Sequence, residues 1–398
     1  MSSANGVFKK LFPSVAILFL ANTAKAQYTT FNWQELFYQS YYIGFKKQPP
    51  LRQYWFGLST SNEVLYLPPL SYGLDAILAM YEVTDSTSYL DDAISITNNV
   101  IDSSQIIDQI PGNRSPFSDA YRGWIERNPK LTGLYLQEVV LDEIYFFQYV
   151  TRLLKDIHNN KLINQNPRYQ YFYSHTLNFV ETNIWDKWEN RGIRMRKNKD
   201  AYLLLNRTHM ASHWAYIAAE LYFLTSSESR RKNYGDFVSV YNSELEKNFT
   251  RYANYIKWNS TWDFSPDGSR SHLPDLIQDV SHANLIVSYI VEARDLGLWK
   301  DQDAIQRLIN TVKDILWDPQ KCIFTDNIDG TLFGSQHEGL SVGSFQADGF
   351  VKLTRYNSNL FSIYEKFISC SPMIINWRQY GQLFANLALS KKLLKEQK

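Results

Sequence analysis

Apolar positions along the chain recur at helical spacing in long runs, and the runs come in pairs. Over residues 71–83, Leu74, Ile77, Leu78 and Tyr81 fall at i, i+3, i+4 and i+7, which gathers them on one helical face. A polar turn at Asp85-Ser86-Thr87 follows, and a second periodic run then reaches Ile101, so this stretch reads as a helical hairpin. The plan returns with helices over 134–158 and 169–185, 210–225 and 234–258, 280–296 and 304–317, and 360–367 and 377–394. Alternating strand patterns are scarce, apart from one short hairpin expected over 322–333 across Asp329-Gly330.

Several of these helices, 210–225 above all, are apolar on most faces and must therefore be covered on both sides. A ring of inner helices sheathed by outer ones meets that demand. The expected fold is all-α, an (α/α) toroid or barrel of about five to seven helical hairpins with few short strands. An open solenoid is the competing arrangement. The loops are long and unequal and no consensus repeat recurs, which favours a ring with functional loops at one end. No Pro/Gly/Ser linker divides the chain, so residues 27–398 are expected to form one domain, with the aromatic-rich stretch from Tyr28 to Tyr54 packed across its body.

Residues 1–26 change the setting. Lys9 and Lys10 precede an apolar run from Leu11 to Ala21 and a small-x-small site at Ala24-Lys25-Ala26, the pattern of a secretory signal peptide. The run is too short to span a bilayer, and no later stretch reaches about 18 apolar residues, so a secreted or periplasmic protein without a membrane span is expected. Cys322 and Cys370 could pair in such a compartment. A chain of 398 residues, 44% of them hydrophobic, supports a large core and excludes general disorder. Its net charge of +1 provides no broad electrostatic face for nucleic acid. The 27 Tyr and 11 Trp suit stacking on sugars as well as filling cores.

Candidate chemistry gathers where polar residues meet the starts of apolar helices. Asn206, Arg207, His209 and His213 stand at the mouth of the 210–225 helix, where unpaired N–H groups favour an anionic ligand. Arg270, His272, Asp275, Asp279, His282 and Asn284 repeat that arrangement before the 280–296 helix, on which His282, Ile286 and Tyr289 share a face. Asp279 is placed to orient the His282 imidazole or to cap the helix. A third, glycine-containing segment carries His337, Glu338, Asp348, Lys352 and Arg355 and reads as an irregular loop or lid. Arg191, Arg194, Arg196, Lys197 and Lys199 form a basic run, either a solvated face or, in a loop leading to Asn206, a landing site for an anionic polymer. His209 and His213 have the i, i+4 spacing of metal ligands, yet no HExxH motif is present, nor a G-x-S-x-G elbow or Gly-rich phosphate loop. No metal and no cofactor are expected.

The hairpins, the signal pattern and Asn206-Arg-Thr-His209 followed by His213-Trp214 resemble the (α/α)-toroid polysaccharide lyases of the alginate and glucuronan lyase kind. That resemblance implies β-elimination on a uronic-acid-containing glycan. Asn206 with Arg207 or Arg270 would neutralise the uronate carboxylate beside the developing carbanion, and a His or Tyr would take the C5 proton. The catalytic set expected on this reading is Asn206, His209, His282, Tyr289 and Arg270. Arg207, His213, Arg194, Arg196, Lys197, His272, His337 and Arg355 would hold the anionic polysaccharide. The alternative is a glycoside hydrolase on the same toroid using two carboxylates, for which Asp75, Asp119, Glu126, Asp279 and Glu338 are available. A non-catalytic glycan-binding protein is the third reading.

Overall fold

The structure is a computed structural model that describes residues 31–44, 48–262, 276–332, 342–370 and 377–397. The signal-like residues 1–26 lie outside the described residues, and Asn32–Lys398 forms one compact unit. Two short helices, α1 (Trp33–Tyr38) and α2 (Leu51–Ser59), lead into it.

Six elements then close a ring. They are α3 (Leu67–Thr84), α5 (Val140–Asn159), α9 (Thr208–Leu224), α11 (Val280–Asp295), the 3₁₀ segment Phe350–Arg355 and α14 (Trp377–Glu396). Each packs on the next, and α14 returns to α3. Outside them, α4 (Thr87–Ser103) covers α3, α7 (Pro167–Phe179) covers α5 and α10 (Glu228–Asn248) covers α9. Both α12 (Gln302–Asn310) and α13 (Asn359–Cys370) pack on the 3₁₀ segment, and α1 covers α14. A one-turn helix α6 (Lys161–Asn164) joins α5 to α7, which continues through a π-helical stretch, Val180–Asp186, into α8 (Lys187–Arg196). The protein is an all-α (α/α) toroid, as its hydrophobic patterning implies.

Burial follows the two layers. In α9, five consecutive residues from Trp214 to Ala218 are fully buried, so over that stretch no face of the helix meets water. In outer α12 only Ala304, Ile305, Leu308 and Ile309 are buried, a single inward stripe.

At the ring's centre a carboxylate ties four wall elements together. Asp75 of α3 is wholly buried and meets Arg152 of α5, Lys352 of the 3₁₀ segment at 3.1 Å, and Gln382 and Asn386 of α14 at 2.9 and 2.8 Å. Burial pushes its proton affinity up, but Lys352 and Arg152 outweigh that and hold the carboxyl below its ordinary range.

Several boundaries differ from the pattern read along the chain. Residues 134–139 are a loop in which Glu126 pairs with Tyr135, and α5 begins only at Val140. Of the basic run, Arg191, Arg194 and Arg196 belong to α8, and only Lys197 and Lys199 lie beyond its end. The short hairpin sits earlier than expected, with Trp317–Asp318 paired to Ile323–Phe324; the Asp318 carboxylate accepts the N–H groups of Gln320 and Lys321 and so nucleates that turn. Asp329-Gly330 is a turn outside the ladder, with Gly330 at φ 88°, and Phe333 lies outside the described residues. Cys322 and Cys370 form a disulfide across a Cα separation of 6.1 Å. Among the described residues, no helix is long and apolar enough to cross a membrane.

The largest correction concerns residues 342–358, read as part of a lid. They supply the sixth piece of the inner wall. Gly349 permits this, since a Cβ there would lie 1.9 Å from the Asn284 carbonyl oxygen and 2.5 Å from the Ser288 nitrogen. The Asn284 side-chain oxygen instead accepts the N–H groups of Gly349 and Phe350, at 2.7 and 2.9 Å.

Because Arg152 and Lys352 both depend on Asp75, Asp75→Asn should destabilise the fold by about 3–5 kcal/mol. Urea unfolding followed by tryptophan fluorescence measures this directly, and an unchanged midpoint would remove Asp75 from the role assigned to it.

Candidate functional site

Helices α5, α9 and α11 bring their N-terminal turns to one end of the ring. His209 in the first turn of α9 meets His282 in the first turn of α11 with ring centroids 4.1 Å apart and planes tilted by 38°, and the ring of Tyr145 of α5 lies 4.1 Å from that of His213 of α9. A cavity of about 480 Å³ opens there, lined by Tyr72, Tyr145, Ser281, His282, Asn284, Leu285, Val342, Phe345, Asp348 and Gln379. Aromatic faces and a few polar groups from four wall elements and the adjoining 342–348 stretch therefore share one space.

Asp279 performs both tasks open to it. It caps α11 by accepting the His282 N–H at 3.2 Å, and its second oxygen meets His282 Nδ1 at 2.6 Å. Ser281 adds a hydroxyl at 2.5 Å. Burial alone would raise this carboxyl, yet its bonds to His282 and Ser281 hold it down at about 2. The contact with Asp279 fixes the orientation of the His282 ring, which also lines the cavity.

The two histidines of α9 are held neutral. Burial, then the neighbouring His282 and His213, push His209 well below the ordinary histidine range, and its Nδ1 is buried without a partner. His213 is fully buried, hydrogen-bonds Gln148 through Nδ1 at 2.8 Å, and is pushed down to about 3 by burial and then by His282.

One carboxyl at this end with a strongly raised proton affinity was not singled out from the sequence. Asp142 lies one turn ahead of Tyr145 on α5 and is pushed up to about 7 by burial, then by the charges of Glu126 and Glu143. Glu126 accepts the Asn128 N–H at 2.6 Å through one oxygen, while the other is buried without a partner. Glu143 is held by two residues of α8, Lys187 at 2.8 Å and the Trp188 indole at 3.1 Å. Asp348, at the cavity's floor, is pushed up to about 6 by burial, with Lys352 opposing and Asp75 adding to the rise. In the sequence, Asp142-Glu143 looks like the ordinary acidic first turn of an apolar helix, favoured there by the helix dipole. The one hint was its position between Val139-Val140-Leu141 and Ile144, where a fully solvated face is not expected.

The other residues named from the sequence scatter. Asn206 precedes α9, its carbonyl accepting the Trp262 N–H at 3.3 Å, and Arg207 reaches Ser260 at 3.3 Å. Tyr289 is fully buried against outer α10, donating to Asn242 with its ring 5.0 Å from Tyr241, and does not line the cavity. Arg355 pairs at 2.7 Å with Asp295, the last residue of α11, roughly 20 Å along that helix from His282. Arg191 is buried between Asp119 and Glu138, both at 3.0 Å, and Arg194 also pairs with Asp119 at 2.7 Å. Arg196 and Lys197 are exposed at the end of α8. Arg270, His272 and His337 lie outside the described residues. Among the described residues, no three His, Cys, Asp or Glu side chains are grouped as metal ligands.

No protein-family model and no curated protein matches this chain. Solved structures that align with it include an inactive variant of the α-1,6-mannanase GH76A of Salegentibacter sp. HEL1_6 in complex with α-1,6-mannotetrose. It is 12% identical over 92% of this chain and 99% of that one, with a TM-score of 0.45. A variant bound to α-1,6-mannotriose aligns over 91% and 98% at a TM-score of 0.44, and the enzyme itself at 0.43. At this identity and these scores the alignments carry no argument about the substrate of this chain. These proteins are nonetheless glycoside hydrolases, not polysaccharide lyases, and the finding corrects the alginate and glucuronan lyase resemblance and the β-elimination drawn from it. The site's chemistry agrees with that correction. Among its described lining residues there is no Lys or Arg to neutralise a uronate carboxylate, and Lys352 below is taken up by Asp75 and Ser288 at 3.1 Å each.

His213 gives this end a definite acid sensitivity. The unfolded chain binds its proton near the ordinary value of 6.5, whereas the folded chain refuses it until about 3, so stability is lost as pH falls through that window. His213→Gln should lose less stability than the parent between pH 6.5 and 4. Urea midpoints across that range test this, and parallel curves would contradict it.

Proposed function

We propose that the protein is a secreted glycoside hydrolase that cleaves a neutral glycan in the cavity lined by α3, α5, α11, α14 and residues 342–348. The observation that carries this reading is Asp142, one turn ahead of the cavity-lining Tyr145 on α5, whose carboxyl is pushed up to about 7 by burial and then by the charges of Glu126 and Glu143. At that proton affinity Asp142 takes the part of the proton donor and Glu126 that of the acceptor. Glycosidic cleavage requires that division of roles.

Asp142 donates its proton to the leaving glycosidic oxygen as the C–O bond breaks. Glu126, with one oxygen anchored by Asn128 and the other unpartnered, acts on the opposite side, either on a water or on the anomeric carbon. Tyr72, Tyr145 and Phe345 present aromatic surface to the apolar faces of sugar rings. The lack of a described cation in the lining supports a neutral rather than an anionic glycan, and the signal pattern in residues 1–26 supports secretion.

Release of reducing ends from a panel of neutral polysaccharides tests the reading, with α-1,6-mannan included because the aligned mannanases act on it. Asp142→Asn should lower kcat by about 10²–10⁴-fold. Since Asp142 must be protonated to act as the acid, kcat/KM should fall as pH rises through about 7. Hydrolysis that proceeds undiminished in the Asp142 variant would sink the assignment.

A further inference from the structure

At the bottom of the cavity two acceptor oxygens stand without donors. Asp348 is 2% exposed and Gln379 3% exposed; both line the cavity, and Asp348 Oδ2 and Gln379 Oε1 are each buried with no hydrogen-bond partner. The remaining atoms of both side chains are committed. Asp348 Oδ1 accepts the Tyr149 hydroxyl and lies 3.7 Å from the Lys352 ammonium, while the Gln379 amide bonds the Tyr72 hydroxyl. Their free oxygens come from different elements, the turn before Phe350–Arg355 and helix α14, and the packing of the ring brings them to one floor.

Native folds rarely leave buried acceptors unmatched, because nothing offsets their lost hydration. A ligand that donates hydrogen bonds here would complete both. The surroundings discriminate among donors. An ammonium group would meet the field of Lys352, already beside Asp348 and paired with Asp75 at 3.1 Å, and of Arg152 on the same Asp75. A divalent cation would need a set of ligands that the described residues do not assemble. Neutral hydroxyl groups donate without adding charge, and the Tyr72, Tyr145 and Phe345 rings that share the cavity suit the C–H face of the ring carrying them.

We infer that Asp348 and Gln379 form an acceptor floor that takes two hydroxyl groups of a single neutral sugar ring and thereby sets which sugar the cavity accepts. This rests on reading the cavity as a glycan site and goes further, because it assigns ring specificity to two residues distinct from the acid–base pair. Asp348 is tied through Lys352 to Asp75, so the floor is held rigidly by the contact that organises the ring. A site of this construction rejects a substrate lacking the matching hydroxyl, since the acceptor facing the gap is left bare.

The test uses the mature chain and isothermal titration with methyl glycosides of mannose, glucose and galactose, their monodeoxy analogues and the corresponding amino sugars. Gln379→Met removes one acceptor at constant shape, and Asp348→Asn replaces one carboxylate oxygen by a donor. Each should weaken binding of the preferred neutral glycoside by at least about tenfold. One monodeoxy analogue should lose a similar factor on the parent protein and nothing further on Gln379→Met. Should Asp348→Asn fail to fold because Lys352 loses a partner, the Gln379 variant decides. Unchanged affinity in the folded variants overturns the floor, even where Asp142-dependent release of reducing ends upholds the hydrolase. Binding that depends on both residues without any cleavage upholds the floor and overturns the hydrolase. Preference for an amino sugar overturns the neutral-ring inference, and no binding of any glycoside overturns both.

Discussion

The buried Asp75 carboxylate is the contact on which the ring's arrangement depends. A closed wall of helices that are apolar on every side could slide and rotate with little change in burial, because hydrophobic contact is not directional. A buried charge is directional, and it must be met by partners at fixed distances or it becomes very costly. Asp75 is met by Arg152, Lys352, Gln382 and Asn386, which come from α5, the 3₁₀ segment and α14. Toward the opposite end, Lys155 repeats the device with Glu220 and Glu292, linking α5, α9 and α11. Together these ion clusters set the register of the wall, and so determine which side chains reach the open end.

At that open end, carboxyls of the same chemical type reach opposite ends of the proton-affinity scale although burial acts on both alike. Asp279 and Asp142 each lie in the first turn or at the cap of an inner helix, and burial raises the proton affinity of both. Asp279 also receives bonds from His282 and Ser281 and ends near 2, whereas Asp142 faces two further carboxylates and ends near 7. The local partner, rather than the residue type or its depth, decides which carboxyl keeps a proton. The histidines follow the same logic, since two of them are buried close to a third and are held neutral.

Much of this was readable in one dimension because it depends on periodicity. Helices apolar on all faces alternate with helices apolar on one, and only a sheathed ring or a solenoid buries both kinds, so the all-α toroid followed from patterning. The capping geometry of Asp279 toward His282 was also legible, being a contact across three residues. The glycine-containing stretch misled for a clear reason. Gly343 and Gly349 resemble loop punctuation, yet Gly349 is there because a helix backbone presses within 2 Å of where its Cβ would stand.

The sequence by itself determined most of the helices, their pairing into hairpins and the polar character of the helix mouths, which rest on contacts within a few turns of chain. Tertiary structure alone decided that Arg191 is consumed by Asp119 and Glu138 rather than offered to a polymer, and that Tyr289 turns to α10. It also decided that Asp142 meets the field of Glu126, 16 positions earlier in the chain, and that Asp348 and Gln379 share a floor. Proton affinity and hydrogen-bond satisfaction depend on what lies within a few ångströms in space, and residues that far apart in sequence become neighbours only when the ring closes.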